Sequence, residues 1–240
     1  MGLFDFFKSS PEATITKHAP RVASKRAQSP DRWESIQAIG ALKSADAVKA
    51  LLPRFTFYVD PGITDNDEKD ETFRLICAVG TEAIPPTRAF TLRAESLSWP
   101  LKILERLAGP DEVVEVLVGL LAKMDVEYER DPQRKLQALQ ALEERRDPRI
   151  GPSVARFLAD VNETARFHAV SVIVSQDDAA SHRDALVSAI TKEESVRVKA
   201  RMLEAFAQQG WDVGAAKDKI AKALPPGWSL DSKGVPARKP

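Results

Sequence analysis

The groups with which this 240-residue chain could do chemistry are three histidines, one cysteine, and basic and acidic side chains in equal number, 35 of each. Few fall into a reactive pattern. His18 precedes Ala19, His168 precedes Ala169 and His182 precedes Arg183, so the His–carboxylate spacing that builds a metal site on a helix is missing. The sequence has no glycine-rich phosphate loop, no serine nucleophile elbow and no paired-cysteine motif. Cys77 stands alone in the apolar run 73–79, where it reads as a small core residue rather than a reactive thiol. Likewise His168 reads as a packed helix residue. The crowd of Asp65, Asp67, Asp70 and Glu71 invites a calcium reading but lacks the glycine and closing glutamate of an EF-hand loop. Acidic residues at the start of a helix, where they complement its dipole, are the ordinary explanation. These residues imply no catalytic group, no metal and no cofactor.

What remains is the chemistry of recognition. Arg54-Phe55 and Arg156-Phe157 place the same pair at the same point of two helices, and Arg88 lies on a third such helix. A guanidinium can fork a carboxylate through two parallel hydrogen bonds, so Arg54, Arg88 and Arg156 are the candidates for binding a partner. The competing reading has them bonding acidic residues of neighbouring turns as a structural ladder. Near the N-terminus, Leu3, Phe4, Phe6 and Phe7 bring large apolar groups together, and the basic residues Lys17, Arg21, Lys25 and Arg26 follow among Pro11 and Pro20. Phe4, Phe6 and Phe7 are a candidate docking tip for a partner groove or, weakly, a membrane surface. Alternatively Phe4 and Phe7 cap the exposed apolar end of the first repeat.

The elements that must hold these residues repeat. Within 131–190 a helical run, a turn with aspartate and a second run occur twice, and 193–200 restates 162–169 closely. The aliphatic residues opening the second helices, Val48, Ile84, Val113, Ile150, Ala185 and Ala215, stand about 29 to 37 residues apart, where helix-pair repeats lie. Arginine recurs early in first helices, at Arg32, Arg134, Arg166 and Arg197, and Asp46, Asp111, Asp147 and Asp178 stand where an N-cap belongs. First helices are expected over 67–79, 98–107 and 195–209, and second helices over 83–92, 111–122 and 215–224. The chain divides into an arm (1–30), a helical-repeat body (31–224) and a capping segment with a loose tail (225–240), in which Trp228 and Leu230 fold back on the last repeat.

Bulk numbers bound the function. Hydrophobic residues at 43% suffice for a core, and 29% charged residues suit a wetted surface. The net charge of zero argues against bulk attraction to nucleic acid or an anionic membrane, though not against a local patch. No apolar run approaches the ~20 residues of a spanning helix. The N-terminus lacks a signal-peptide core, and Phe6 stands where a myristoylation motif needs Ser or Thr. A cytoplasmic protein is expected.

The pattern acidic-x-x-[Val/Ala]-Arg-x-x-Ala opening first helices, aspartate in the turn and an Ala-Val-x-x-Leu-like second helix resembles HEAT repeats of the short bacterial, phycobilisome-lyase-like kind. The resemblance spans roughly 31–224 and is clearest in the last two repeats; repeats two and three lack the Val-Arg pair. It implies an all-α, right-handed α-solenoid of about six helix pairs and a protein-interaction module. Lysine-modifying di-iron HEAT enzymes carry repeated His-Glu pairs, which are absent. A bilin-lyase-like enzyme and a nucleic-acid-binding protein like the HEAT-like DNA glycosylases remain alternatives, the latter through Trp33, Trp99 and Trp211. The reading favoured is a non-catalytic scaffold or adaptor that binds a protein or peptide on its concave face, as a monomer or an oligomer.

Overall fold

The computed structural model describes residues 10–239. The all-α expectation holds: thirteen α-helices carry the described residues, with short 3-10 turns between them and one two-stranded hairpin at the end. The chain forms two units, Met1–Val116 and Leu117–Pro240.

In the first unit, α1 (Pro11–Val22) packs on α2 (Ser29–Gly40), and α2 packs on α3 (Ala45–Leu51) and α4 (Gly62–Cys77). In turn α4 meets α6 (Ser98–Ala108), while α3 meets α5 (Ile84–Thr91). Alternate helices therefore form one layer, α2–α4–α6, and the helices between them another. Neither layer can bury its apolar stripe alone; Ile36, Ile39, Val48, Leu51, Ile76 and Ile103 share one core between them. Phe55 stacks on Trp99 with ring centroids 5.2 Å apart, tying the end of one hairpin to the start of another. Gly40, the last residue of α2, lies against Leu75 of α4, where a Cβ would lie 2.6 Å from Leu75 Cδ1. A glycine is needed there to seat the helices this near. Then α7 (Pro110–Leu121) follows α6 after Gly109, whose φ of 85° only glycine adopts freely.

The second unit repeats the scheme. α8 (Gln133–Leu142), α10 (Glu163–Ser175) and α12 (Val196–Gln209) pack in succession; α9 (Ile150–Val154), the 3-10 turn Ala155–Ala159 and α11 (Arg183–Ile190) pack beside them. Phe157, Val170, Ile173, Met202 and Phe206 are buried completely. α12 ends where Gly210 takes a left-handed φ of 67°, and α13 (Lys217–Lys222) follows. Last come β1 (Trp228–Leu230) and β2 (Pro236–Arg238), antiparallel, with Trp228 opposite Arg238. β2 lies on α12, and Trp228 is buried.

Two expectations need correction, and the segment read as an arm gains an element. Within 1–30, Pro11–Val22 is a full helix: Ser10 accepts the Ala13 N–H at 3.1 Å, Pro11 begins the first turn, where no N–H is required, and His18 and Val22 are buried against α2. The tail is not loose, because Lys239 N–H bonds Gly227 O and the hairpin closes. The α3 cap is Ser44 and not Asp46, which pairs with Lys49 in the first turn.

Candidate functional site

The candidate arginines divide three ways. Arg54 follows α3 in the turn Leu52–Thr56, and it is completely buried. Its Nε donates to Glu68 Oε2 at 2.7 Å and its Nη2 to Asp65 Oδ1 at 2.7 Å, with the guanidinium over Phe57. Arg32, equally buried, takes the same Glu68 through Nε and Nη2 at 2.6 and 2.9 Å and donates to Ala27 O. Lys69 neutralises the other Asp65 oxygen at 2.7 Å. Burial would push the Glu68 carboxyl up, but hydrogen bonds from Arg32, Arg54 and Ser29 outweigh it and hold it below the usual carboxylate range. Asp65 is held down likewise, by Lys69, Arg54 and the Val59 N–H against the same burial. As a surface contact Arg54 must therefore be corrected: it is an internal strut, and the ladder reading describes it.

Arg88, on α5, is about 40% exposed, and it forks Glu112 at 2.7 and 2.5 Å while its third nitrogen reaches Glu115 at 3.1 Å. The Glu112 hydrogen bonds push its already high pKa higher still. It is accessible, though its charge is spent on its own unit.

Arg156 differs. It is exposed, lies over the Phe157 ring, and donates to the Leu121 and Met124 carbonyls, and among the described residues no carboxylate pairs with it. It stands on a groove of about 520 Å³ between the turn Ala155–Ala159 and α11. Small side chains form the floor: Ala155 and Ala159 on one side, Ala185 and Ala189 on the other. Lys192 and Glu194 reach the groove from the end of α11, both exposed and neither in an ion pair among the described residues. The buried foundation beside them is a second ladder. Arg166 forks Glu193 at 2.8 and 2.8 Å and donates to Asp160 O, while Lys135 takes the Asp160 carboxylate at 2.8 Å. Burial would raise the Glu193 carboxyl, but Arg166 and two backbone N–H groups hold it low.

The geometry offers a slot floored by small side chains, with two cations, Arg156 and Lys192, at its edge beside the carboxylate of Glu194. That arrangement can seat an extended chain and take up a carboxylate. The alanines at 155, 159, 185 and 189 escaped the sequence reading, although small residues four apart in two successive repeats are a legible sign of a shallow surface. The interior role of Glu68 and Asp65 escaped too, because in sequence a buried acid is indistinguishable from a solvated one.

The histidines stay apart. His18 Nδ1 lies 3.0 Å from Ser35 Oγ, His168 bonds Glu143, and His182 Nε2 is 3.8 Å from Asp178. Among the described residues no group of three or more His, Cys, Asp or Glu could hold a metal ion, and no helix is long and apolar enough to cross a membrane. Phe4, Phe6 and Phe7 lie outside the described residues. Compared with family models and with curated proteins, the chain matches none.

Proposed function

We propose that the chain is a non-catalytic adaptor of the HEAT type, built of about six helix pairs in right-handed succession, that binds a protein partner through an extended, carboxylate-bearing segment. Support for the repeat architecture comes from the packing of alternate helices, α2–α4–α6 and α8–α10–α12. Two ladders in which an arginine of one first helix bonds a glutamate beyond the next hairpin, Arg32–Glu68 and Arg166–Glu193, support it as well.

The observation that carries the binding reading is the alanine-floored groove with Arg156 and Lys192 at its edge. A strand of partner lies along the slot, its backbone close to Ala155 and Ala189, and its acidic side chain meets the two cations. Arg88 is a weaker contact of the same kind, because Glu112 and Glu115 compete for it. Phe4, Phe6 and Phe7 supply a further docking tip. The protein acts in the cytoplasm and needs no cofactor.

The test is affinity capture from the native host, followed by titration of the identified partner against the purified full chain. Arg156→Glu with Lys192→Glu abolishes binding while circular dichroism is unchanged. Retained affinity in that variant counts against the groove. Deleting residues 1–9 measures the tip separately.

A further inference from the structure

In the unit Met1–Val116, the layer α2–α4–α6 carries two grooves of opposite charge that share α4. The groove between α2 and α4, about 970 Å³, is lined by five carboxylates against the single guanidinium of Arg74. Glu68 and Glu71 are satisfied internally by Arg32, Arg54 and Arg74. Glu34, Asp67 and Asp70 are exposed and make no ion pair among the described residues. One wall is the indole of Trp33, 39% exposed where most large apolar side chains of the unit are covered.

The groove between α4 and α6, about 660 Å³, has the opposite sign. Lys102 and Arg106 stand one turn apart on α6, exposed and without an ion pair among the described residues, above Phe73 and Cys77. The Lys102 ammonium lies 4.5 Å from the Trp99 ring centroid and 4.9 Å from that of Phe73.

We propose that this face is a self-complementary interface on which a second copy of the chain docks about a two-fold axis passing near α4. Such an axis exchanges the α2 side of one copy with the α6 side of the other, because a two-fold interface uses the same patch twice. Lys102 and Arg106 of each copy then enter the acidic groove of the other, between Glu34 and Asp67, with a cation over the face of Trp33. A separate basic ligand would satisfy the acidic groove only and leave Lys102 and Arg106 unpaired; a second copy neutralises both. The association is weak and salt-sensitive, since exposed ion pairs contribute little each and are screened. The Trp33 indole, aromatic and 39% exposed, is the anchor.

The experiment is sedimentation equilibrium of the full chain at roughly 100 µM, where a micromolar Kd populates the dimer. In about 50 mM salt the weight-average mass approaches twice the 26.4 kDa of the chain, and it falls to that of the monomer in about 500 mM salt. Lys102→Glu with Arg106→Glu is monomeric in both buffers, as is Glu34→Lys with Asp67→Lys. Mixed in equal amounts, the two charge-reversed variants regain a doubled mass. A wild-type chain monomeric at low salt overturns the proposal, and so does a wild-type-like dimer in either variant or a mixture that stays monomeric. Trp33→Ala, which leaves all charges in place, lowers the dimer fraction as well; an unchanged fraction removes the indole from the interface.

Discussion

Arg32 and Glu68 lie thirty-six residues apart in sequence and meet through two nearly parallel hydrogen bonds of 2.6 and 2.9 Å, both side chains almost wholly buried. Glu68 serves Arg54 and Ser29 at the same time. One carboxylate thus joins the start of α2, the end of the first hairpin and the middle of α4. A buried pair of this kind adds little over a well-packed apolar substitute, because desolvation offsets the attraction. What it does is fix which residues of the two helices face each other.

Removing one member has a large effect for the same reason. Glu68→Ala leaves two guanidinium groups buried without their shared partner, and it is expected to cost about 3–5 kcal/mol. The midpoint of urea denaturation reads this directly. Lys49→Ala, at an exposed pair with Asp46, moves the midpoint by no more than about 0.5 kcal/mol. Comparable losses in the two variants would show that burial of the cluster is not what matters.

Two pH windows follow from the buried groups. The His18 pKa is lowered from 6.5 by burial first, with Lys17 and Arg21 adding to it. The unfolded chain therefore binds the proton more readily, so stability is full above 6.5 and declines as the pH falls toward the depressed folded value. Glu68 and Glu193 act lower. Their folded pKa values lie below 4.5, so their contribution is complete above 4.5 and is lost as the pH falls through the folded values. Denaturation midpoints from pH 7 down to 5 should decline in the wild type and decline less in His18→Gln; equal slopes would remove His18 from the first window.

Much of this architecture was legible, and the reasons differ from element to element. The bounds of α6 and α12 could be read to within a residue, because Gly109-Pro110 and Gly210 punctuate them chemically. α4 begins at Gly62, five residues before the expected start at 67. Its first turns bury Asp65 and Glu68 through ion pairs, and a periodicity of apolar residues does not register a carboxylate as interior. For α1, which no expectation covered, Pro20 falls near the end of the helix, and one lost N–H does not undo the docking of His18 and Val22. Of the three arginines singled out, Arg156 stands at an open groove, while the same Arg-Phe pair at 54 serves the interior. Residue type and position in a repeat are shared by the two, and only the acids brought in by the fold tell them apart.

Gly40 gives a test of how tightly the α2–α4 contact is made. An added Cβ would lie 2.6, 2.8 and 2.9 Å from three side-chain atoms of Leu75, all closer than carbon atoms tolerate. Gly40→Ala should therefore lower stability by about 1–3 kcal/mol, despite the better helix propensity of alanine. In a Leu75→Ala background the clashing atoms are gone, and the same substitution should be harmless or favourable. A double-mutant cycle in urea measures that coupling; additive effects would mean that the strain lies elsewhere.

At the other end of the chain, the hairpin of β1 and β2 decides whether α12 keeps its covering. Trp228 is 3% exposed, the Arg238 guanidinium lies 4.8 Å from its ring centroid, and Arg238 itself bonds Glu204 on α12. A two-stranded hairpin this short is not stable alone in water; it holds because the indole and β2 are seated on the unit. Trp228→Ala removes the largest apolar contribution, about 3 kcal/mol or more if the space stays open. The loss should appear locally, as faster amide hydrogen exchange in α12 and in 228–238, while α2 and α4 exchange at the wild-type rate. Arg238→Ala, which removes an exposed ion pair and the cation over the ring but leaves the indole seated, should change exchange in α12 only slightly. If the two variants open α12 equally, the salt bridge and not the buried ring holds the hairpin down.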